Sequence, residues 1–297
     1  MSFSKRCKKE VLKKDPIDAR AELFTFFQYI SSIRISSASY QVIFKTYSNT
    51  IARYIYNLIK KVYAYSPIFE IKDMDKDRLF SVIVEEESIS EELMDESNEF
   101  FINKDSYLED VSLDDIKSYL KISFVLKGSV NDPQRGYNLE ISTNSIEESI
   151  LTKESMDIFD LNPKINDKGE IKVVYLKDSD KISDFLAIIG ANKSLFELED
   201  VRAMKSIRNN INRQTNFDKA NIDRTVNASL KQVDAIKAIF NAGMMDDLSA
   251  EMKELAELRL VNPYTSIEEL GQMLDPPMSK SKVNYRLQKF IKMAEDL

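Results

Sequence analysis

The sequence predicts an α+β protein in which a duplicated region of helices and strands is joined by a helical linker to an all-α C-terminal domain. Three observations predict this class: an order of elements that recurs along the chain, a long polar helical pattern after it, and two short C-terminal helices separated by prolines. The length of 297 residues is typical of about two domains. The predicted boundaries are 1–105 and 106–198 for the repeats, 199–245 for the linker and 246–297 for the C-terminal domain.

The first repeat is predicted to run helix, strand, helix, strand, strand. Apolar residues at helical spacing predict a helix over 18–32, and alternation predicts a strand over 40–47. A helix over 49–63 and strands near 68–71 and 79–84 complete this unit. Residues 1–14 form the pattern of a short, basic, amphipathic helix that packs on the repeated region.

The second repeat has the same order of elements. It predicts a helix over 113–127, a strand over 137–142, a helix over 145–159, strands over 164–166 and 171–176, and a last helix over 179–189. A shift of 97 positions gives six identities where residue usage predicts roughly one or two. The identical pairs are Leu23 and Leu120, Phe27 and Phe124, Ser32 and Ser129, Tyr40 and Tyr137, Thr46 and Thr143, and Ser48 and Ser145. We interpret the pattern as an internal duplication.

An acidic stretch separates the repeats. Residues 84–100 contain eight acids and no base. A metal-binding cluster and a solvated connector are both compatible with this composition. The second is favoured because charges of one sign repel each other and seldom converge on one site.

Composition excludes several classes of chemistry. The chain has no histidine and no tryptophan, and Cys7 is its single cysteine. A disulfide within the chain, a Cys/His zinc site and a nucleophile that depends on a histidine base are therefore excluded, so catalysis would have to rest on carboxylates and a metal. No segment has the pattern of a signal peptide or a membrane span, which predicts a cytoplasmic protein with no membrane partner.

The linker carries a basic stripe. Residues 201–217 hold four bases and no acid, and Arg202, Lys205, Asn209 and Arg213 fall on one side of the predicted helix. This side is interpreted either as a second phosphate-facing DNA surface or as an interdomain helix whose bases face water. The pattern leaves both open.

Two short helices are predicted near the C-terminus. Ser266 and Glu269 have the spacing of a capping box, and the prolines at 276 and 277 end the first helix because proline lacks an amide donor. Ser279 can open the second helix. Two helices joined by so tight a turn have the pattern of a helix-turn-helix.

The second of these helices has an apolar side and a basic side. Residues 278–293 hold five bases and no acid, whereas 251–277 hold six acids and two bases. Positive charge is thus concentrated on the helix that would enter the major groove of double-stranded DNA. Ser281, Lys282 and Tyr285 are predicted to lie nearest the bases. The phosphate-binding set is Lys280, Arg286, Lys289 and Lys292. The alternative is a solvated basic face.

Three segments carry a resemblance to a known family. Residues 128–141, 174–222 and 257–287 closely resemble the corresponding segments of WhiA, a bacterial family of DNA-binding regulators tied to cell division and, in spore-forming lineages, to sporulation. The resemblance covers nearly the whole chain. It implies two LAGLIDADG-like halves, similar to those of homing endonucleases, and a helix-turn-helix similar to that of sigma-factor region four.

The same resemblance implies a test for nuclease chemistry. In LAGLIDADG nucleases each motif helix ends with a carboxylate, because the divalent ions that they bind must stabilise both the attacking and the leaving oxygen. The motif aligned on 23–31 and 120–128 puts Ile30 and Lys127 at these positions, and neither can ligate magnesium. The resemblance therefore implies a degenerate motif with no catalytic residue, no metal and no cofactor.

This sequence also departs from the family pattern at four positions. Thr25 and Ile122 stand where glycine lets the motif helices approach, which predicts a wider or differently packed crossing. Lys282 and Tyr285 stand where glycine and histidine are expected, which predicts a stronger general affinity for DNA or a changed site preference.

The leading hypothesis is a non-enzymatic, sequence-specific transcription regulator associated with the nucleoid. The duplicated domain either lies on DNA as a saddle or serves as a scaffold for a protein partner or for its own C-terminal domain. Residues 1–198 carry 34 acids and 27 bases, which favours the scaffold. The candidate saddle residues are Arg34, Lys45, Lys121 and Arg135.

Two other functions remain open. One is a metal-dependent DNA endonuclease with ligands drawn from Asp18, Asp132 and Glu140, although Asp132 lies in an Asn-Asp-Pro sequence where capping a turn is its ordinary role. The other is an RNA-associated or cell-division scaffold, which would show no preference among duplex sequences.

Overall fold

The computed structural model describes residues 1–36, 39–75, 77–102, 111–168 and 171–297. The chain divides into two compact units, Met1–Met204 and Lys205–Leu297, called here the first and the second unit. The predicted α+β class is confirmed. The predicted boundary between residues 105 and 106 lies outside the described residues.

The first unit combines helices with two antiparallel sheets. Its helices are α1 (Phe3–Val11), α2 (Ala19–Ile30), α3 (Asn49–Tyr63), α4 (Glu87–Ile102), α5 (Leu113–Lys127), α6 (Ile146–Asp157) and α7 (Ser179–Ile188), and α8 (Asn192–Asn241) begins in it. The strands are β1 (Ser31–Ser36), β2 (Ser39–Thr46), β3 (Ile68–Asp73), β4 (Arg78–Val84), β5 (Gly128–Val130), β6 (Leu139–Thr143), β7 (Lys164–Lys168) and β8 (Ile171–Leu176).

The two sheets repeat one topology. The strand orders are β1-β2-β4-β3 and β5-β6-β8-β7, and every pairing in both is antiparallel. Ser31 pairs with Phe44 in the first sheet, and Gly128 pairs with Ile141 in the second. The duplication predicted from the sequence is confirmed.

The two motif helices α2 and α5 start at side-chain caps and end directly in strands. The Asp18 carboxylate accepts a hydrogen bond from the Ala21 amide at 2.8 Å, and the Ser112 hydroxyl accepts one from the Asp115 amide at 3.2 Å. Each cap satisfies an amide that has no partner within its helix. Since β1 and β5 follow the helices without a loop, residues 30 and 127 lie at equivalent corners.

These helices pack against each other at the centre of the first unit. Leu23, Phe26, Leu120, Ile122 and Phe124 are buried in one apolar core that also receives the inner faces of both sheets. The Phe124 ring meets the ring of Phe185 with centroids 5.7 Å apart. Burial of this kind, at about 25 cal/mol per Å² of apolar surface, holds the two halves together.

Gly128 allows the corner at the end of α5. A Cβ atom there would lie 2.4 Å from Cδ2 of Phe124 and 2.7 Å from the Phe124 carbonyl oxygen. A side chain at Gly128 would therefore force the Phe124 ring or the end of α5 to shift, so glycine suits the corner where this helix turns into β5.

Strands β1 and β5 are absent from the prediction. Each follows its helix with no intervening loop, so no turn signal marks the strand as a separate element. Ile33 and Ile35 alternate along β1 but are exposed, because β1 is the first strand in its sheet order. Tertiary pairing with β2, and not local pattern, defines this strand.

The acidic stretch between the repeats is a packed helix, so the prediction of a solvated connector is wrong. In α4, Ser90, Leu93 and Ser97 are fully buried at i, i+3 and i+7, and the helix packs on α2 and β2. Glu96 pairs with Arg20 and accepts a hydrogen bond from the Tyr63 hydroxyl at 2.8 Å. The other acids face outward.

Helix α1 is tied to the second repeat and to the start of α8. Phe3, Cys7 and Val11 are buried, and the Ser4 hydroxyl accepts a hydrogen bond from the Val130 amide at 3.3 Å. The Glu10 carboxylate caps α8 by accepting from the Lys193 amide at 2.6 Å and from the Ser194 amide at 3.0 Å.

The second unit is helical throughout. It holds the remainder of α8, a 3₁₀ turn at Met244–Asp247, and the helices α9 (Ala250–Val261), α10 (Ile267–Met273) and α11 (Lys280–Glu295). Its separate core is formed by Ala235, Ile236, Ile239, Met252, Leu255, Ala256, Leu270, Leu274, Val283, Leu287 and Phe290. Along the described part of the chain, no helix is both long enough and apolar enough to cross a membrane.

Candidate nucleic-acid interface

Helix α10 starts at the predicted capping box. The Ser266 amide donates to the Glu269 carboxylate at 3.0 Å, and the Glu269 amide donates to the Ser266 hydroxyl at 3.2 Å. The hydrogen bonds from Ser266 lower the pKa of Glu269, because they favour the charged carboxylate. This reciprocal cap fixes where the first helix of the pair begins.

The turn between α10 and α11 depends on Gly271. The Met278 amide donates to the Gly271 carbonyl at 2.8 Å, and a Cβ atom at Gly271 would lie only 2.3 Å from the Met278 carbonyl oxygen. The returning chain therefore presses directly on the backbone of α10. Only glycine permits this distance, which sets the placement of α11.

Buried Arg259 supports the connection from α9 to α10. Its guanidinium donates to the Thr265 carbonyl at 2.7 Å and to the carbonyls of Asn262 and Pro263 at 3.5 Å each. Burial lowers the pKa of this group. The side chain is 2% exposed, so it acts as a structural cross-link and is no candidate for phosphate binding.

One side of α11 is fully inside the core. Val283, Leu287 and Phe290 are each 0% exposed and pack with Leu255 and Leu270. The opposite side is thereby turned outward, as the helical pattern predicts. Six of the seven predicted DNA-binding residues are exposed on the helix: Lys280, Ser281, Lys282, Tyr285, Lys289 and Lys292.

Arg286 is the member of the predicted set that has a partner inside the unit. Its guanidinium forms an ion pair with Glu251 of α9 and donates to the Met278 sulfur at 2.9 Å. The Arg286 side chain is 22% exposed. Arg286 can therefore bind a DNA phosphate only if its ion pair with Glu251 breaks.

Two exposed, uncharged residues of α11 are missing from the predicted set. Asn284 and Gln288 lie on the outward side together with Ser281 and Tyr285. They were overlooked because the prediction followed charge, although their helical spacing alone would have found them.

The four residues of the stripe predicted on α8 do not share one environment. Arg202 forms ion pairs with Asp180 and Glu199, so its charge is used within the first unit. Asn209 and Arg213 are exposed, and Lys205 is half-buried.

The two motif corners of the first unit hold no pair of carboxylates. Ile30 is partly buried in the core, and the Lys127 ammonium donates to Glu148 at 2.9 Å and lies 4.2 Å from the centre of the Tyr29 ring. Tyr29, Lys127 and Glu148 line a cavity of about 470 Å³ beside α6. In the described ranges there is no group of three acidic or cysteine side chains that could hold a metal ion.

The alternative metal ligands have structural roles and lie on separate elements. Asp18 caps α2, and Asp132 accepts a hydrogen bond from the Gln134 amide at 3.0 Å, which is the turn-capping role expected from its sequence. Glu140 on β6 accepts from the Asn138 side-chain amide at 2.9 Å.

One candidate saddle residue is wrongly assigned. Lys121 is 1% exposed, and its ammonium donates to the Glu22 carboxylate at 2.7 Å and to the Tyr54 hydroxyl at 2.9 Å. Burial lowers the pKa of Lys121, and the Glu22 charge opposes this effect. The other three, Arg34, Lys45 and Arg135, are exposed. The two positions where glycine was expected, Thr25 and Ile122, are both buried in the first unit.

Three family models match successive parts of the chain. They are the WhiA N-terminal LAGLIDADG-like domain over residues 16–98, the WhiA LAGLIDADG-like domain over 116–208 and the WhiA C-terminal HTH domain over 211–294. These agree with the duplicated first unit and with the helix pair α10 and α11.

Relatives match over the full length. The chain is 34% identical to a probable cell division protein WhiA of Clostridium botulinum, over 100% of this chain and 99% of that protein, and 33% identical to one of Thermoanaerobacter sp., over 100% and 98%. A crystal structure of full-length WhiA from Thermatoga maritima matches with a TM-score of 0.61 and 26% identity, covering 100% of this chain and 99% of that one. The chain belongs to the WhiA family.

Proposed function

We propose that this protein is a sequence-specific transcription regulator that binds double-stranded DNA through α11 and has no nuclease activity. The observation that carries the proposal is the asymmetry of α11. One side is sealed in the core, and the other presents lysines with no acid between Lys280 and Lys292. A basic helix held at the end of a tight helical turn fits the major groove of B-DNA.

The family model over residues 211–294 supports this reading, since it is that of an HTH domain. The relatives are named as cell division proteins, so we propose that the regulated genes serve cell division and that the protein acts at the nucleoid. For relatives in spore-forming lineages the same site would serve sporulation.

The first unit supports the absence of nuclease activity. Ile30 and Lys127 occupy the corners where paired carboxylates would be needed, and Lys127 is already neutralised by Glu148. Hydrolysis by two metal ions requires acids that hold both ions beside the scissile phosphate. We therefore propose that the first unit is a scaffold that contacts a protein partner, consistent with its excess of acids. Within α8, the exposed part of the predicted stripe, Asn209 and Arg213, forms a second phosphate-facing surface in the proposal.

Binding measured across salt concentrations tests the proposal. We expect full-length protein to prefer particular duplex sequences selected from a random pool. In this proposal Lys282 contacts a phosphate and not a base, in contrast to the role predicted from the sequence. Lys282→Ala should therefore weaken binding to all sequences and lower the slope of log affinity against log salt by about one. Lys237→Ala, at an exposed lysine of α8 outside the proposed interface, is the matched control. A slope unchanged by Lys282→Ala would remove α11 from the interface.

A separate assay tests the absence of hydrolysis. Supercoiled plasmid incubated with the protein and magnesium or manganese should remain intact. Reproducible cleavage that disappears in the Asp132→Ala variant would overturn this part of the proposal and restore the nuclease with relocated ligands.

A further inference from the structure

Between Ser281 and Gln288 the outward side of α11 has an uncharged centre. Ser281, Asn284, Tyr285 and Gln288 follow at i, i+3, i+4 and i+7 and are all exposed. At 100° per residue they span about 100° of the helix surface, opposite Val283, Leu287 and Phe290. The same spacing serves helices that read base edges from the major groove.

The lysines border this neutral stripe. On the same helical projection Lys280 lies along one edge, Lys282 and Lys289 lie along the other, and Lys292 lies one turn beyond Gln288. This arrangement puts cations where the two phosphate backbones would pass and neutral groups where the groove floor would lie. Phosphate contacts position a helix, whereas contacts to base edges specify the sequence.

The chemistry of the stripe favours one base. A side-chain amide has a donor and an acceptor side by side, which match the N7 acceptor and the N6 donor of adenine. No side chain of the stripe is used for a hydrogen bond within the described protein, and Tyr285 is 73% exposed. The amides of Asn284 and Gln288 are therefore available to a ligand.

We propose that Asn284 and Gln288 each read one adenine in the major groove, so that the preferred DNA site contains two adenines at a fixed spacing. This inference rests on the proposed function and names its specificity-determining residues. Four residues of helix advance about 6 Å, against about 3.4 Å for each base step. The two adenines therefore lie about two base steps apart, and Lys282 joins the phosphate-binding set.

Selection from random duplexes, followed by single-base competition, tests the inference with full-length protein. We expect Asn284→Ala and Gln288→Ala each to lose about 5- to 150-fold affinity for the selected duplex and to lose the adenine preference at one position only. The salt slope should stay unchanged, since no phosphate contact is removed. Asn241→Ala, at the exposed asparagine that ends α8 in the same unit, is the control and should behave as wild type.

Two further arms do not depend on loss of binding. Asn284→Asp should change the preference at its position from adenine to cytosine, because a carboxylate accepts from the cytosine N4 group. A duplex with 7-deazaadenine at that position lacks the N7 acceptor. Wild-type protein should bind this duplex more weakly than the adenine duplex. The Asn284→Ala variant should bind the two duplexes with equal affinity.

The outcomes separate the two proposals. Wild-type protein with no preference for any duplex sequence overturns the proposed function and this inference together. A preferred site without the two adenines, or one whose preference survives both alanine variants, overturns only the inference. A salt slope that falls by about one in Asn284→Ala also overturns it, because the residue would then contact phosphate.

Discussion

In the first unit, Lys121 and Lys127 of α5 both donate to glutamates, and Lys121 is buried. In the second unit, Lys280, Lys282 and Lys289 of α11 are exposed and form no ion pair with any residue that the structure describes. The same side chain thus has two uses. An ammonium held by a carboxylate inside a helix pair orients the helices, and its charge is no longer available to a polyanion. These three lysines of α11 offer their positive charge outward, whereas Lys121 and Lys127 of α5 do not.

The largest effect is expected from breaking the buried pair. Lys121→Ala leaves the Glu22 carboxylate buried without its cation, which should cost about 3–5 kcal/mol of stability. Urea unfolding followed by circular dichroism measures the loss. Lys117→Ala removes a more exposed lysine of α5 that pairs with Asp114, and it should cost less than about 1 kcal/mol. Equal losses in the two variants would show that burial of Lys121 has no special role.

A second prediction concerns the placement of α11. Gly271→Ala forces a methyl group against the Met278 carbonyl and should destabilise the second unit by about 1–3 kcal/mol. Affinity for DNA should fall with it, because α11 shifts. Thermal unfolding and duplex binding are the measurements. The adjacent exposed residue provides the control, Gln272→Ala, which should leave both nearly unchanged.

The rate at which a thiol reagent labels Cys7 shows which unit is destabilised in the Lys121→Ala and Gly271→Ala variants. Cys7 is fully buried, and burial raises the pKa of its thiol to about 11, so a thiol reagent at pH 8 should react only when the first unit opens. Lys121→Ala should accelerate labelling, whereas Gly271→Ala should not. Faster labelling in both variants would mean that the two units unfold together.

The smallest predicted effect concerns Arg286, the base of α11 that is paired with an acid inside the second unit. Glu251→Gln removes the carboxylate that holds Arg286 and releases its guanidinium for a phosphate. The slope of log affinity against log salt should then become steeper by about 0.9, the value for one additional phosphate contact. Glu257→Gln, at an exposed acid of α9, controls for the change in net charge. Equal slopes for the two variants would show that Arg286 stays away from DNA.

The repeated architecture could be predicted because its signals are local. Apolar spacing located α2 and α5, and the Ser266 cap located α10 to within one residue. The acidic helix α4 was misinterpreted because the eight acids of residues 84–100 outweighed a narrow buried stripe of Ser90, Leu93 and Ser97. A helix can carry many charges on one face and still pack with the other.

The partners of the site residues could not be predicted in the same way. Lys127 finds Glu148 at a distance of 21 residues, and Arg286 finds Glu251 at 35. Lys121 finds Glu22 across 99 residues, between the two halves. Such ion pairs depend on which helices pack together and on how their residues align. Helical patterns in the sequence do not predict either.

The Lys127–Glu148 pair also limits how the chain can change over generations. Glu148 accepts from Lys127 and from the Asn144 amide, so an acid introduced in place of Lys127 would confront a carboxylate that had just lost its counter-ion. Like charges so close together repel, and the exchange would be selected against before any metal ligand became useful. Paired carboxylates at the two motif corners would need coordinated replacements at Ile30, Lys127 and Glu148. Single substitutions are therefore expected to leave these corners without such a pair.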